Sequence, residues 1–138
     1  MLPGAECLQS APMTPGTDMQ AYYAARAPYY DAVYLKPERQ EDIAFLSAYL
    51  PERLAGRRVL EVACGTGPGL GLLASRARSL AAIDVSAVMV ERVRRHYGTR
   101  VRVEQADAHR LPFGDGSLDV VSSFEALYYL AEPQRFAR

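Results

Sequence analysis

The sequence is short of cysteine and has no excess of charge of either sign. Its 138 residues include two cysteines, and 16 basic residues balance 16 acidic ones. Two thiols, Cys7 and Cys64, cannot form a disulfide framework, so we predict a reducing, cytoplasmic location. A net charge of zero gives no attraction to a polyanion, and nucleic acid is therefore not a predicted partner.

Long apolar runs and a leader sequence are also missing. No apolar run approaches the roughly 18–20 residues that a helix needs to cross a bilayer. The first ten residues, M-L-P-G-A-E-C-L-Q-S, lack the basic and apolar regions of a secretory signal. We therefore predict no membrane association. The length of the chain corresponds to one domain or part of one. The sequence also predicts no metal site.

The first part of the chain differs in pattern from the rest. Residues 1–17 are rich in proline and glycine and are predicted to form a disordered tail. Residues 18–56 are predicted to form an N-terminal helical cap, in which Pro28 interrupts a first helix and Pro37 begins a second. The second helix should end between residues 51 and 56. Tyrosines of the first helix either cover core or form a lid over a pocket: Tyr22, Tyr23, Tyr29, Tyr30 and Tyr34.

From residue 57 onward, short apolar strands alternate with helical stretches. A buried strand at 59–63 precedes glycines at positions 65, 67, 69 and 71. The pattern then predicts, in order, a helix at 70–78, a strand at 79–84, a helix at 86–96 capped by Ser86, and strands at 101–105 and 118–123. Strands alternating with helices imply right-handed crossovers, so the predicted fold class is α/β with a parallel sheet.

The glycine-rich turn after the first strand does not fit the usual phosphate-binding motifs. A P-loop needs a lysine beside its last glycine, and the single lysine of the chain is the distant Lys36. A dinucleotide fingerprint needs a third glycine where this chain has Leu70 or Leu72, while Asp84 suits a ribose hydroxyl in either case. Glu61 stands directly before the turn, where its charge would repel a pyrophosphate. These features favour a nucleoside that carries a positive charge.

Four motifs follow one another along the chain. They are E-V-A-C-G-T-G-P-G at 61–69, I-D-V-S at 83–86, Q-A-D-A-H-R-L-P-F at 105–113 and L-D-V-V-S-S-F-E-A-L-Y-Y-L at 118–130. Together they resemble the class I S-adenosylmethionine-dependent methyltransferases, in particular the small-molecule, type 11/25-like members. The resemblance covers about residues 57–130. It implies a Rossmann-like sheet, S-adenosyl-L-methionine as cofactor, and residues 57–138 as the cofactor-binding half of the domain.

The resemblance also implies which residues bind the cofactor. Asp84 would accept hydrogen bonds from the ribose hydroxyls, Asp107 from the adenine amino group, and Glu61 would lie close to the amino group of the methionine portion. The full set of implied contacts is Glu61, Ala63, Gly65, Gly67, Asp84, Val85, Met89, Asp107, Ala108, Ser123 and Phe124.

The remaining positions have more general implied roles. The glycine backbone would pass beside the methionine portion. Val85 and Met89 would flank the adenine, with the backbone of Ala108 beside it. Ser123 or Phe124 would lie near the sulfonium.

Methyl transfer from a sulfonium is an in-line displacement with an activated leaving group, so alignment supplies most of the catalysis. The sequence leaves the catalytic residues and any general base open: His96 lies near a helix end, which favours a structural role, and His109 lies in the loop after the third strand, where solvation is favoured over catalysis. The segment at 122–125, Ser-Ser-Phe-Glu, lacks the pattern of enzymes that methylate nucleobases or glutamine, which is an acid or Asn followed by Pro-Pro and an aromatic residue. This difference favours a small-molecule acceptor. In the resemblance, Tyr128 and Tyr129 lie near the acceptor side.

The resemblance predicts a seven-stranded sheet, of which four strands are readable here in the order 3-2-1-4. The chain is therefore predicted to be truncated after the fourth strand, which would leave that strand at an edge open to self-association. Two other functions remain open. One is a non-catalytic module that binds S-adenosylmethionine or self-associates, and the other is a nicotinamide-dependent oxidoreductase fragment, which Leu70 argues against.

Overall fold

The computed structural model describes residues 17–124, 126–127, 130 and 132–137. The predicted tail up to residue 16, Tyr128 and Tyr129 lie outside these ranges. The elements are α1 (Thr17–Tyr30), a 3-10 helix (Asp31–Leu35), α2 (Pro37–Leu54), β1 (Arg58–Val62), α3 (Leu70–Ala74), β2 (Ser79–Asp84), α4 (Ala87–Tyr97), a second 3-10 helix (Gly98–Arg100), β3 (Arg102–Gln105), β4 (Val120–Ser122) and α5 (Pro133–Phe136).

The four strands form one parallel sheet in the order β3-β2-β1-β4, which confirms the predicted fold class and strand order. The central strand β1 pairs with β2 along its whole length and with β4 over three residues. Because all strands are parallel, their carboxyl ends lie at one edge of the sheet. The loops that follow the strands therefore meet there.

Each face of the sheet packs against different parts of the chain. Side chains alternate along a strand, so Val59 faces the helices α2, α3 and α4 while Leu60 and Val62 face the other side. The helical side holds the larger core, with Leu70 and Val93 fully buried in it. The second face is covered by side chains of the loop between β3 and β4 and by α5.

Pro28 does not interrupt the first helix as predicted, whereas the second helix ends within the predicted range of 51–56. The helix α1 continues through Pro28 to Tyr30, and α2 continues through Pro51 to Leu54. Proline in a helix removes one hydrogen bond, and burial of neighbouring side chains outweighs that loss here. Ala27 is 2% exposed and Leu54 is 4% exposed.

Within the described ranges, no helix is both long and apolar enough to cross a membrane.

Two other boundaries differ because of contacts between distant segments. The helix α3 ends at Ala74 rather than at residue 78 because the backbone of the next residues bonds to the segment before β1. The amide of Arg78 donates to the carbonyl of Arg57 at 2.8 Å. The strand β4 begins at Val120 rather than at residue 118, since the Asp119 carboxylate accepts hydrogen bonds from the backbone and guanidinium of Arg58.

Candidate functional site

The turn between β1 and α3 concentrates unusual backbone conformations. Ala63 has a φ of +56°, and Gly65 and Gly67 have φ of +54° and +87°. A non-glycine residue in this region carries strain on the order of 1–3 kcal/mol, and such strain clusters at functional sites. The amide of Gly67 donates to the carbonyl of Cys64 at 2.9 Å and closes the turn.

The glycines of the turn have different surroundings. A Cβ at Gly67 would lie 3.1 Å from Tyr97 Cε2, and one at Gly69 would lie 2.9 Å from Phe124 Cδ2. By contrast, no atom of the described residues lies within 4 Å of the Cβ position at Gly65. Gly67 and Gly69 therefore allow close packing inside the protein, whereas Gly65 faces open space at the carboxyl edge of the sheet.

Replacing Gly69 by alanine should destabilise the protein by about 1–2 kcal/mol, because the new methyl group overlaps the Phe124 ring. Gly69 has a φ of −77°, so the effect is steric rather than conformational. Chemical denaturation followed by circular dichroism measures it. Gly114→Ala is the matched control, since no described atom lies within 4 Å of its Cβ position. Equal stability of the two variants would contradict this packing role.

Asp84 connects the glycine turn to the end of β2. Its Oδ2 accepts the amide of Gly65 at 2.8 Å, and its Oδ1 accepts the amide of Ser86 at 2.9 Å. Burial raises the pKa of this carboxyl, and the backbone hydrogen bonds oppose the shift. Ser86 occupies the predicted N-cap, but its side chain makes no capping hydrogen bond with a described residue. Each carboxylate oxygen has a second lone pair, so the ribose contact of Asp84 stays a prediction.

Glu61 lies inside the protein rather than on a ligand-facing surface. It is 2% exposed, and its two oxygens accept hydrogen bonds from the Ser122 hydroxyl and, at 3.0 Å, from the Phe124 amide. Burial raises the pKa of this carboxyl. The hydrogen bonds from Ser122 and Phe124 oppose this shift. Its contact with the methionine amino group stays a prediction.

The ends of β2 and β3 are joined on the side where the adenine is predicted. The Gln105 amide donates to the Val85 carbonyl at 3.0 Å, and the Ala106 amide donates to the Asp84 carbonyl at 3.0 Å. Val85 is 45% exposed, whereas Met89 is 2% exposed and packs inward. Met89 offers almost no surface to a ligand in this conformation.

Val88 is an exposed apolar residue of α4 that sequence reasoning missed as a candidate for the site. It is 51% exposed, in the first turn of α4. Met89, Val90 and Val93 already form the buried stripe of this helix, so Val88 had to lie outside it. That spacing was the available signal.

Asp107 follows β3 and keeps an exposed side chain. Its Oδ1 accepts hydrogen bonds from the backbone amide of His109 at 2.9 Å and from the His109 ring at 2.8 Å. The hydrogen bond from the His109 amide is the largest of the effects that lower the pKa of Asp107, so the carboxylate stays ionised near neutral pH. The His109 side chain is 18% exposed and the Glu132 amide donates to its Nε2, so the ring is less solvated than the sequence predicts.

Ser123 and Phe124 follow β4 and lie against the glycine turn. The Ser123 hydroxyl donates to the Val62 carbonyl at 3.1 Å, and the Phe124 ring packs against the core on the helical side. Ala108 packs against the core of the second face. The segment after β4 is thus held to β1 by side-chain hydrogen bonds as well as by strand pairing.

The helical cap contacts the turn through Asp31, which the sequence did not single out. The Thr66 hydroxyl donates to Asp31 Oδ1, and Arg92 Nη2 lies 3.4 Å from Asp31 Oδ2. These residues line a cavity of about 440 Å³ between the cap, the turn and α4. Tyr29 is 79% exposed and Tyr22 is 40% exposed, so these two tyrosines cover little core. No sequence signal paired Asp31 with a residue 35 positions away.

The turn after β1 and the segments after β2, β3 and β4 meet at the carboxyl edge of one parallel sheet. A glycine turn and carboxylates at this edge define a Rossmann-like ligand-binding domain. Residues 59–138, more than half of the chain, match the family described as a methyltransferase domain, and the chain belongs to that family.

Individual proteins support this assignment. A probable S-adenosylmethionine-dependent methyltransferase of Mycobacterium tuberculosis is 42% identical over 89 residues, which make up 64% of this chain and 32% of that protein. The DhpI chain in the structure of the DhpI-SAM-HEP complex is 30% identical in sequence to this chain, with a TM-score of 0.68. The match covers 86% of this chain and 54% of the DhpI chain. The structure of the cyclase SpnF is 24% identical in sequence, with a TM-score of 0.70, and the match covers 93% of this chain and 56% of the SpnF chain. At this identity the match shows a likeness of fold alone.

The chain thus spans about a third of the length of the curated relatives it matches.

Proposed function

We propose that this chain binds S-adenosyl-L-methionine and forms the cofactor half of a class I methyltransferase that acts on a small molecule. The observation that carries the proposal is the position of Asp84. Its carboxylate holds the glycine turn through the Gly65 amide, beside the open space at Gly65. The match of residues 59–138 to the methyltransferase family supports the same assignment.

The residues at the edge of the sheet suit the parts of this cofactor. Asp107 offers an exposed, ionised carboxylate, which accepts hydrogen bonds from an amino group. Val85 and Val88 offer exposed apolar surface to a flat base. The open space at Gly65 admits the cofactor's chain close to the backbone. The cofactor supplies a methyl group on a sulfonium, and these residues bind and orient it.

Binding of S-adenosylhomocysteine, measured by isothermal titration calorimetry, tests the proposal. We expect one molecule bound per chain, and no binding of ADP-ribose, because the turn lacks the glycine pattern of a pyrophosphate site. A folded chain that binds no S-adenosylhomocysteine at about 1 mM would contradict the proposal. Fluorescence enhancement of NADH on mixing would instead support the oxidoreductase alternative.

Turnover separates an enzyme from a non-catalytic binding module. Radiolabelled S-adenosylmethionine is incubated with a panel of small hydroxylated, aminated and carboxylated acceptors. Label transferred to an acceptor supports methyl transfer by this chain. Binding without transfer to any of them supports the module. A small-molecule acceptor is proposed because the chain carries no net charge to attract nucleic acid.

We further propose that the chain associates with a second copy of itself along β4. This strand pairs with β1 on one side, and no strand among the described residues pairs with its other side. Val121 in this strand is 46% exposed. Open strand edges pair readily with other chains.

The free, buried thiol of Cys64 suits a proposed cytoplasmic location for the protein.

Val121→Lys should convert a self-associating chain to a monomer, because charge at a strand edge opposes pairing. Light scattering across a concentration series measures the molar mass. Leu35→Lys is the control: Leu35 is 80% exposed but lies in the helical cap, so this variant should associate like the unmodified protein. An unmodified chain that stays monomeric over the whole series would refute association through β4.

A further inference from the structure

Asp107 and His109 form a fixed pair in the loop that follows β3. Asp107 Oδ1 accepts hydrogen bonds from the His109 backbone amide at 2.9 Å and from His109 Nδ1 at 2.8 Å. On the other side of the ring, the Glu132 amide donates to His109 Nε2 at 3.3 Å. Since a backbone amide can only donate, Nε2 carries the lone pair and Nδ1 carries the proton.

The two members of the pair differ in exposure. The His109 side chain is 18% exposed and the Asp107 side chain is 62% exposed, so the imidazole is the sheltered partner. The charged groups around them, which line the same cavity of about 410 Å³, are Arg110, Glu132 and Arg135. Arg135 pairs with Glu132 at 3.2 Å. A sheltered histidine thus holds an exposed carboxylate in one orientation.

Both hydrogen bonds from His109 reach the same oxygen of Asp107. Two donors on Oδ1 restrict rotation of the carboxylate and leave Oδ2 as the oxygen for an outside partner. We propose that His109 is a positioning residue that orients Asp107 toward the amino group of the adenine, and so selects adenine over purines that carry an oxygen at that position. The inference rests on the proposed function, in which Asp107 binds the cofactor's base.

The chemistry of the two bases makes the inference testable. The adenine amino group donates to a carboxylate, whereas the corresponding oxygen of hypoxanthine only accepts and would face a negative charge. Hydrogen bonds to charged groups contribute enough for a preference of about 10- to 100-fold. A carboxylate that is free to rotate would lose part of this preference, because its orientation must then be ordered on binding.

The experiment compares dissociation constants for S-adenosylhomocysteine and S-inosylhomocysteine by calorimetry. Asparagine at position 109 places an amide N–H near the position of Nδ1, whereas glutamine places one near Nε2. His109→Asn should therefore keep the preference for the adenine ligand, and His109→Gln and His109→Ala should lower it about fivefold or more. A purely structural role would weaken both ligands alike and leave the ratio of the two constants unchanged.

Asp107→Asn gives a second test that leaves His109 in place. The two donors of His109 would hold the amide oxygen, so the amide nitrogen would face the ligand and donate to it. This variant should reverse the preference in favour of S-inosylhomocysteine, and adding His109→Ala should weaken the reversal, because only the backbone amide of residue 109 then holds the amide oxygen.

The outcomes separate this inference from the proposed function. An unmodified chain that binds neither ligand overturns both. An unmodified chain that binds S-adenosylhomocysteine, with a ratio unchanged in His109→Ala and His109→Gln, overturns only the role of His109. Loss of the preference in the alanine and glutamine variants, with its retention in His109→Asn, supports the inference.

Discussion

Asp84→Ala is expected to weaken S-adenosylhomocysteine binding by at least about 100-fold, since the carboxylate makes more than one hydrogen bond that each contribute about 1.5–3 kcal/mol. It removes the acceptor for the Gly65 amide, which holds the glycine turn against β2. It also removes the acceptor for the Ser86 amide at the start of α4. The proposed ribose contact is lost with them, so both the shape of the site and a direct contact disappear. Calorimetry gives the affinity.

Asp119→Ala is the matched control for this prediction. Asp119 also accepts a backbone amide hydrogen bond, from Arg58 at 2.8 Å, but at the opposite end of β1. Its removal should lower the stability of the sheet without changing the affinity of the folded protein. An Asp84→Ala protein that binds the ligand within about threefold of the unmodified chain, a difference of less than 1 kcal/mol, would show that Asp84 does not organise the site.

Glu61→Leu is expected to destabilise the protein by about 2–4 kcal/mol, because two partly buried donors lose their acceptor. These donors are the Ser122 hydroxyl and the Phe124 amide. Glu61→Gln keeps the volume and one carbonyl oxygen and should cost about 1 kcal/mol. Chemical denaturation measures both. Glu91→Gln changes an exposed glutamate that pairs with Arg95, and it should cost less than about 0.5 kcal/mol.

The pH dependence of stability identifies the charge state of Glu61. Burial raises its pKa in the folded protein, so the folded state holds the proton more tightly than the unfolded chain. The stabilising contribution is therefore complete below the ordinary glutamate pKa of about 4.3, and it is lost as the pH rises through the higher pKa of the folded state. Glutamine does not titrate. Glu61→Gln should thus gain stability relative to the unmodified protein as the pH increases through this window.

Asp84, whose pKa is also raised by burial, is present in both proteins and cancels from the comparison. Unfolding free energies measured for the two proteins between pH 4 and pH 7 give the difference. A difference that stays constant over this range would mean that Glu61 keeps the same charge in the folded and unfolded states, and the burial argument would be wrong.

The predicted site residues show how far sequence reasoning reaches. A strand and the acid that ends it are local features, so Asp84 and the glycines of the turn could be assigned to the carboxyl edge from spacing alone. The direction in which a side chain points depends on its neighbours in space. Glu61 therefore proved to be buried against Ser122 and Phe124, although the sequence treated it as a charge facing the ligand.

The contacts that distant segments make were out of reach for the same reason. Asp31 meets Thr66 across 35 positions, and His109 meets the amide of Glu132 across 23. No sequence pattern predicts either contact, because the first depends on how the cap packs on the sheet and the second on how α5 packs on it.

The sequence by itself determined the α/β class, because apolar runs, glycines and strand-ending acids are local and follow one another in the chain. The order of the four strands was implied by the resemblance of these motifs to the methyltransferase family. Only the tertiary structure decided where α3 ends, where β4 begins and which carboxylates face outward. Those outcomes depend on hydrogen bonds and burial between segments such as Arg57 with Arg78 and Arg58 with Asp119, which form only once the sheet has assembled.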